Sequence, residues 1–229
     1  MIDRALIDAV RSGLVARANP AKADGMRAYM KSEMPYRGVQ TAGMGEVARE
    51  VFPQHLLATF DDWHETIVAL WSEAQFREER YAALGLIAWR TYRPFRTSLA
   101  ALPLYEQLIV DGAWWDLVDG LATHEVGDLL RRFPGPMRQT LLAWSRGADP
   151  WLRRTSIICQ VSFKGATDRQ LLYACIEPSS AERGFFLRKA IGWALRELAK
   201  AAPDEVRQYV AEHESQLSGL SRREALKHL

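Results

Sequence analysis

Trp115 and Asp119 stand four residues apart, the spacing that brings two side chains together on one helix face. In Trp114-Trp115-Asp116-Leu117-Val118-Asp119-Gly120-Leu121, the core stripe is Trp114, Leu117, Val118 and Leu121, which sets Trp115 and Asp119 about a quarter turn from the core. The result is an aromatic face beside a carboxylate. A ring in that position stacks on a flat partner or attracts a cation, and the carboxylate adds negative charge at its edge. In the segment from Phe185 to Leu198 the stripe is Leu187, Ile191, Ala194, Leu195 and Leu198, which leaves Trp193 among Phe186, Lys189, Arg196 and Glu197. Two accounts of that ring stay open, a cation–π contact with a neighbouring helix or a platform held for a ligand. In Trp151-Leu152-Arg153-Arg154, Arg153 falls on the polar side beside Gln160, whereas Arg154 falls between Ile158 and Val161. A guanidinium placed there must snorkel or find an anion. Trp115, Arg154 and Trp193 are separated by 39 and 39 residues, a register that projects all three onto one side of successive repeats.

The elements that hold these residues read as helices almost throughout. Ala5, Leu6, Val10, Leu14 and Val15 form one stripe, and Trp63, Ile67, Leu70 and Trp71 form another in the third helical region. Strand signals are scarce, and Pro53, Pro94, Pro103, Pro134-Gly135-Pro136, Pro150, Pro178 and Pro203 punctuate short amphipathic runs. Basic-led helices begin at 80, 154, 189 and 223; the later gaps are 35 and 34, and the first, 74, is two periods of 37 with the Trp114 to Leu121 helix between. The expected fold is therefore all-α, a HEAT-like helical-repeat solenoid occupying residues 1–229 as a single domain, with a concave face for a partner. The competing architecture is an irregular helical bundle.

Composition narrows the function classes. Apolar residues make up 48% and charged residues 25% of 229, which excludes disorder and low complexity. With 30 Lys+Arg against 28 Asp+Glu, no field spans the whole molecule, so a polyanion site must be a local patch. Residues 115–229 hold 17 basic against 14 acidic side chains and residues 1–114 hold 13 against 14, which places that patch toward the C-terminus. His55, His64, His124, His213 and His228 never pair at helical spacing and no cysteine joins them, so no metal is expected. Cys159 and Cys175 lie in apolar helical patterns without CxxC spacing and read as buried thiols. Asp61-Asp62 and Glu78-Glu79 read as solvated charge at helix ends. No apolar run approaches a membrane span and the first residues are unlike a signal peptide, so a cytoplasmic chain without membrane attachment is expected.

The strings Trp114-Trp115-Asp116-Leu117-Val118-Asp119, Trp151-Leu152-Arg153-Arg154, Lys189-Ala190-Ile191-Gly192-Trp193-Ala194-Leu195-Arg196-Glu197 and Leu220-Ser221-Arg222-Arg223-Glu224-Ala225 resemble the bacterial DNA alkylation repair glycosylases built from HEAT-like repeats. The resemblance begins near Asn19-Pro20-Ala21-Lys22 and Tyr29-Met30-Lys31 and runs to the C-terminus. It implies a catalytic cluster of Asp119, Trp115 and Trp193, and DNA contacts from Arg154, Tyr29, Gln40, Lys189 and Arg196. One stretch departs from the pattern: after Gln40-Thr41, where a proline and basic residues are expected, the chain has Ala42-Gly43-Met44-Gly45, which leaves Arg37 and Arg49 to supply the grip.

The implied activity is release of N3- and N7-alkylated purines such as 3-methyladenine and 7-methylguanine from double-stranded DNA, by a cofactor-free monomer that leaves an abasic site without flipping the base. An alkylated purine is already cationic and leaves without a protonating acid, so the barrier lies at the oxocarbenium-like sugar. A carboxylate stabilises that charge and orients water, as in glycoside hydrolysis but with one acidic group. The alternative from another class is a non-catalytic HEAT-like scaffold that binds DNA or protein, since a fold alone does not give a function.

Overall fold

The computed structural model describes residues 1–229, and every regular element in it is helical. The α-helices are α1 (Arg4–Ala16), α2 (Pro20–Met30), α3 (Thr41–Val51), α4 (Phe60–Ser72), α5 (Arg77–Ala88), α6 (Arg93–Arg96), α7 (Leu102–Gly112), α8 (Trp115–Gly120), α9 (Gly127–Arg132), α10 (Pro134–Arg146), α11 (Pro150–Ile158), α12 (Arg169–Ile176), α13 (Phe185–Ala199), α14 (Pro203–Glu212) and α15 (Gly219–Ala225). A π-helical segment, Leu121–Val126, joins α8 to α9. By compactness the chain divides into two units, Met1–Leu104 and Tyr105–Leu229.

In the first unit, α1, α3 and α5 pack on one another and α4 lies on α5. Leu6, Val10 and Leu14 are buried as their period requires, but Ile7 joins them in place of Ala5 and Val15, and Val15 is 55% exposed. Trp63, Ile67, Leu70 and Trp71 are all buried, on α4. The Glu78-Glu79 pair differs from its expectation as solvated charge, because both side chains are buried. Their charge is met inside the protein. Glu78 accepts the backbone N–H groups of Arg37, Gly38 and Val39 at 2.9–3.1 Å, and Glu79 meets Arg11 at 3.0 Å and Arg37 at 3.6 Å. A buried carboxylate surrounded by donors in this way avoids the cost of desolvation without a partner. Gly38 makes that loop possible: its φ of +81° is left-handed, and a Cβ there would lie 2.0 Å from the carbonyl oxygen of Asn19.

The second unit stacks helices in two rows, which makes it a helical-repeat fold. One row runs from α8 to α11 to α13 to α15, and α10 packs on α12 beside it; α11 pairs with α12 and α13 with α14. Each helix buries its stripe against its neighbours, as repeat architectures require. The expected stripe of α13 is buried throughout, at Leu187, Ile191, Ala194, Leu195 and Leu198. Cys159 and Cys175 are free, buried thiols, and burial pushes Cys175 up to about 11. No helix is long and apolar enough to cross a membrane.

Candidate functional site

The row α8, α11, α13 carries the candidate residues of the second unit, and the sequence explains how each helix is started. At the end of α7, Ala113 takes a left-handed φ of 41°, and Trp114 follows extended at φ −155°, so the chain turns directly into α8 at Trp115. Asp149 caps α11, accepting from the N–H groups of Trp151 at 2.9 Å and Leu152 at 2.8 Å, with Pro150 at the first helical position. That start fixes the phase of the two arginines one turn later. Arg153 turns to Ser179, Glu182 and the carbonyl of Pro178, and Arg154 turns to Asp119.

Arg154 and Asp119 form a bidentate pair: Nε donates to Oδ1 and Nη2 to Oδ2, both at 2.7 Å. Nη1 donates to the carbonyl oxygen of Phe186 at 2.6 Å. The guanidinium that had to snorkel or find an anion has found one inside the protein. The Arg154 side chain is 6% exposed and that of Asp119 is 20% exposed. The fork and the bond to Phe186 together spend one lone pair on each carboxylate oxygen and one N–H on each guanidinium nitrogen, leaving one N–H on each terminal nitrogen and a lone pair on each oxygen. Planar bidentate geometry fixes the carboxylate in rotation as well as position, which a lysine would not do.

The aromatic rings divide clearly. Trp63, Trp71, Trp144 and Trp151 are buried, and Trp89, Trp114, Trp115 and Trp193 are half-buried. Trp89 meets Phe52 edge-on at 5.3 Å, and Trp114 belongs to a cluster with Trp151 and Phe186 at 5.0–6.1 Å. Trp115 and Trp193 have no such ring partner, and no guanidinium or ammonium lies over Trp193. Trp193 instead lines a cavity of about 550 Å³ with Thr123, His124, Lys164, Glu197 and Lys200. Phe185, 54% exposed, extends the ring cluster to the surface at 5.4 Å from Phe186. Sequence reading passed over Phe185; its only signal is an apolar ring at the first residue of a helix, where no core stripe requires it.

Lys189 and Arg196 flank Trp193 on α13 and both reach Glu224 of α15, Lys189 Nζ at 2.9 Å and Arg196 Nη1 at 2.5 Å. Lys189, and then Arg196, hold the Glu224 carboxyl below the usual carboxylate range. Glu224 was not singled out from sequence, although Gly192 signals the close approach that admits it: a Cβ on Gly192 would lie 2.4 Å from Glu224 Cβ. In the first unit, Tyr29 is 76% exposed on α2, and Gln40 is exposed immediately before α3 without a capping bond. Arg37 lies over the ring of Phe76 at 3.7 Å, and Arg49 is exposed on α3.

Residues 10–229 match the family model described as DNA alkylation repair enzyme. A solved structure from Enterococcus faecalis, described as a predicted DNA alkylation repair enzyme, is 26% identical with a TM-score of 0.83, covering 93% of this chain and 97% of that one. A search of curated proteins returns no match.

Proposed function

The chain belongs to the DNA alkylation repair enzyme family, and on that premise we propose that it is a monofunctional DNA glycosylase for cationic N3- and N7-alkylated purines in duplex DNA. The observation that carries this reading is the state of Asp119. Its carboxylate is clamped by Arg154 at 2.7 Å on both oxygens, yet it keeps a fifth of its surface and a lone pair on each oxygen for a ligand. A carboxylate serving only as a structural counterion to Arg154 has no need of that access.

The reaction needs little else. The C1′–N bond of the alkylated nucleoside breaks and its electron pair returns to the purine ring, which leaves neutral. Positive charge gathers on C1′ and the ring oxygen of the sugar, where Asp119 stabilises it at close range. Asp119 also accepts a hydrogen bond from the attacking water, whose oxygen bonds to C1′ and whose proton is released, giving an abasic site and free base. Trp115 and Trp193 contribute cation–π attraction to the lesion nucleotide, on the order of 2 kcal/mol or less each. Arg154 holds the carboxylate in place and offers its two remaining N–H groups to a phosphate near the lesion. Lys189, Arg196, Tyr29 and Gln40 are assigned to the DNA, and the base is released without being flipped into a deep pocket.

Replacing Asp119 by Asn tests the assignment, because the amide keeps the size and removes the charge. Single-turnover release of 7-methylguanine should fall by at least 100-fold, a loss of the size seen when one electrostatic stabiliser is removed, with duplex binding retained. Full activity in Asp119→Asn removes the carboxylate from the mechanism.

A further inference from the structure

The cavity beside Trp193 has a second set of groups that the reaction above does not use. On one wall the π-helical segment, which continues the helix of Asp119, presents Thr123 and His124; the Thr123 hydroxyl donates to the carbonyl oxygen of Asp119 at 2.8 Å. On the others stand Lys164, and Lys200 with its partner Glu197 at 2.6 Å. Three side chains able to carry positive charge face one carboxylate there, and that carboxylate is already paired. Lys164 is exposed and has no hydrogen-bond or ion-pair partner for its ammonium group.

Lys164 is also held in an unfavourable backbone conformation. Its φ of +55° lies in the left-handed region, which costs a side-chain-bearing residue roughly 1–2 kcal/mol relative to the right-handed form. Its own carbonyl fixes that conformation by accepting from the Thr167 hydroxyl at 2.8 Å and the Thr167 N–H at 3.3 Å. Glycine would occupy the position without strain. A lysine kept there aims a cation at the mouth of the Trp193 cavity at a cost in stability, and strain retained in this way marks a functional position.

We propose that Lys164, with His124 and Lys200, forms a seat for one backbone phosphate of the DNA strand that carries the lesion, next to the nucleotide contacted by Trp193. This assignment rests on the reading of Asp119 and Trp193 as facing that nucleotide. The seat fixes the register of the strand by charge alone, leaving recognition of the lesion to the rings and the carboxylate. A phosphodiester, singly charged, suits a site whose third cation is shared with Glu197.

The test is the salt dependence of binding of the full-length protein to an unmodified DNA duplex. Each phosphate neutralised contributes about 0.9 to the slope of log K against log salt. Lys164→Gly and Lys164→Asn both remove the charge while accepting the left-handed backbone. Each should lower the slope by about 0.9 and weaken binding at low salt, Lys164→Arg should restore the slope, and Lys164→Gly should melt at a higher temperature than the wild type. Adding Lys200→Gln should lower the slope no further, because the seat holds a single phosphate. An unchanged slope in both charge-removing variants, or a slope that Lys164→Arg fails to restore, overturns the seat. Base release separates the two readings: a methylated duplex that loses its bases at wild-type rate to a Lys164→Gly protein with unchanged slope overturns the seat alone. A slope lowered in Lys164→Gly, where the wild-type protein itself releases no base, leaves the seat standing and overturns the glycosylase.

Discussion

The pairing of Asp119 with Arg154 changes what each residue is for. Read from sequence, Arg154 stood on the apolar side of its helix with an anion still to be found, and the resemblance placed it on DNA. The protein supplies the anion itself, with two N–H···O bonds of 2.7 Å. Helical phase was enough to group Trp115 with Asp119 and to lift Trp193 out of the core stripe, because those relations are local to one helix. The ion pair joins residues 35 apart, and no periodicity reports which side chains meet across a helix interface. Since the fork fixes the plane of the carboxylate, Arg154→Lys should keep the charge and lose the alignment. We expect base release to slow by about 10- to 100-fold, the scale of loss for a misplacement of about 1 Å, while duplex affinity changes by much less. Single-turnover release set beside duplex titration reads both; equal losses in the two would show that the hold of Arg154 on the phosphate outweighs its hold on Asp119.

At the scale of elements, the site depends on how closely α13 and α15 approach. Their contact runs through Gly192, the one position in the middle of α13 where a side chain would strike both Glu224 Cβ at 2.4 Å and the backbone oxygen of Ser221 at 2.9 Å. Gly192→Ala should push α15 away and strain the contacts of Lys189 and Arg196 with Glu224. The expected cost is about 1–3 kcal/mol, the range for inserting a carbon into a packed interface, seen as a lower midpoint in chemical denaturation. An alanine variant as stable as the wild type would mean that the two helices slide without consequence. Helix existence, the α13 stripe and the α4 stripe were legible because apolar period reports burial directly. The π-helical turn after Asp119 was not, because a shift from four to five residues per hydrogen bond leaves no mark in the apolar pattern; it is nevertheless the turn that presents Thr123 and His124 beside Trp193. Glu78 and Glu79 misled for a similar reason. Acidic residues near a helix start usually meet solvent, and only the fold brings three backbone N–H groups onto Glu78.

Over the whole molecule, a formal net charge of +2 excludes a grip on DNA by bulk field and requires a local one. The second unit carries cations in specific arrangements, with Arg154, Lys189 and Arg196 spent on carboxylates and Lys164 at a strained position without an ion-pair partner. The repeat period seen in the sequence corresponds there to a row of helices that delivers Asp119, Arg154 and Trp193 from three successive members. The chemistry assigned to that row has a selectivity of its own. No acid has a part in that chemistry as assigned, so only a purine that is already cationic should depart. The most direct measurement is chromatography of the bases freed by the wild-type protein from two duplexes, one carrying N3- and N7-methylated purines and one carrying a neutral alkylated base. Free 3-methyladenine and 7-methylguanine are expected, with abasic sites left in the first duplex, and no release from the second. Intact methylated bases in the first, or rapid release from the second, would contradict it.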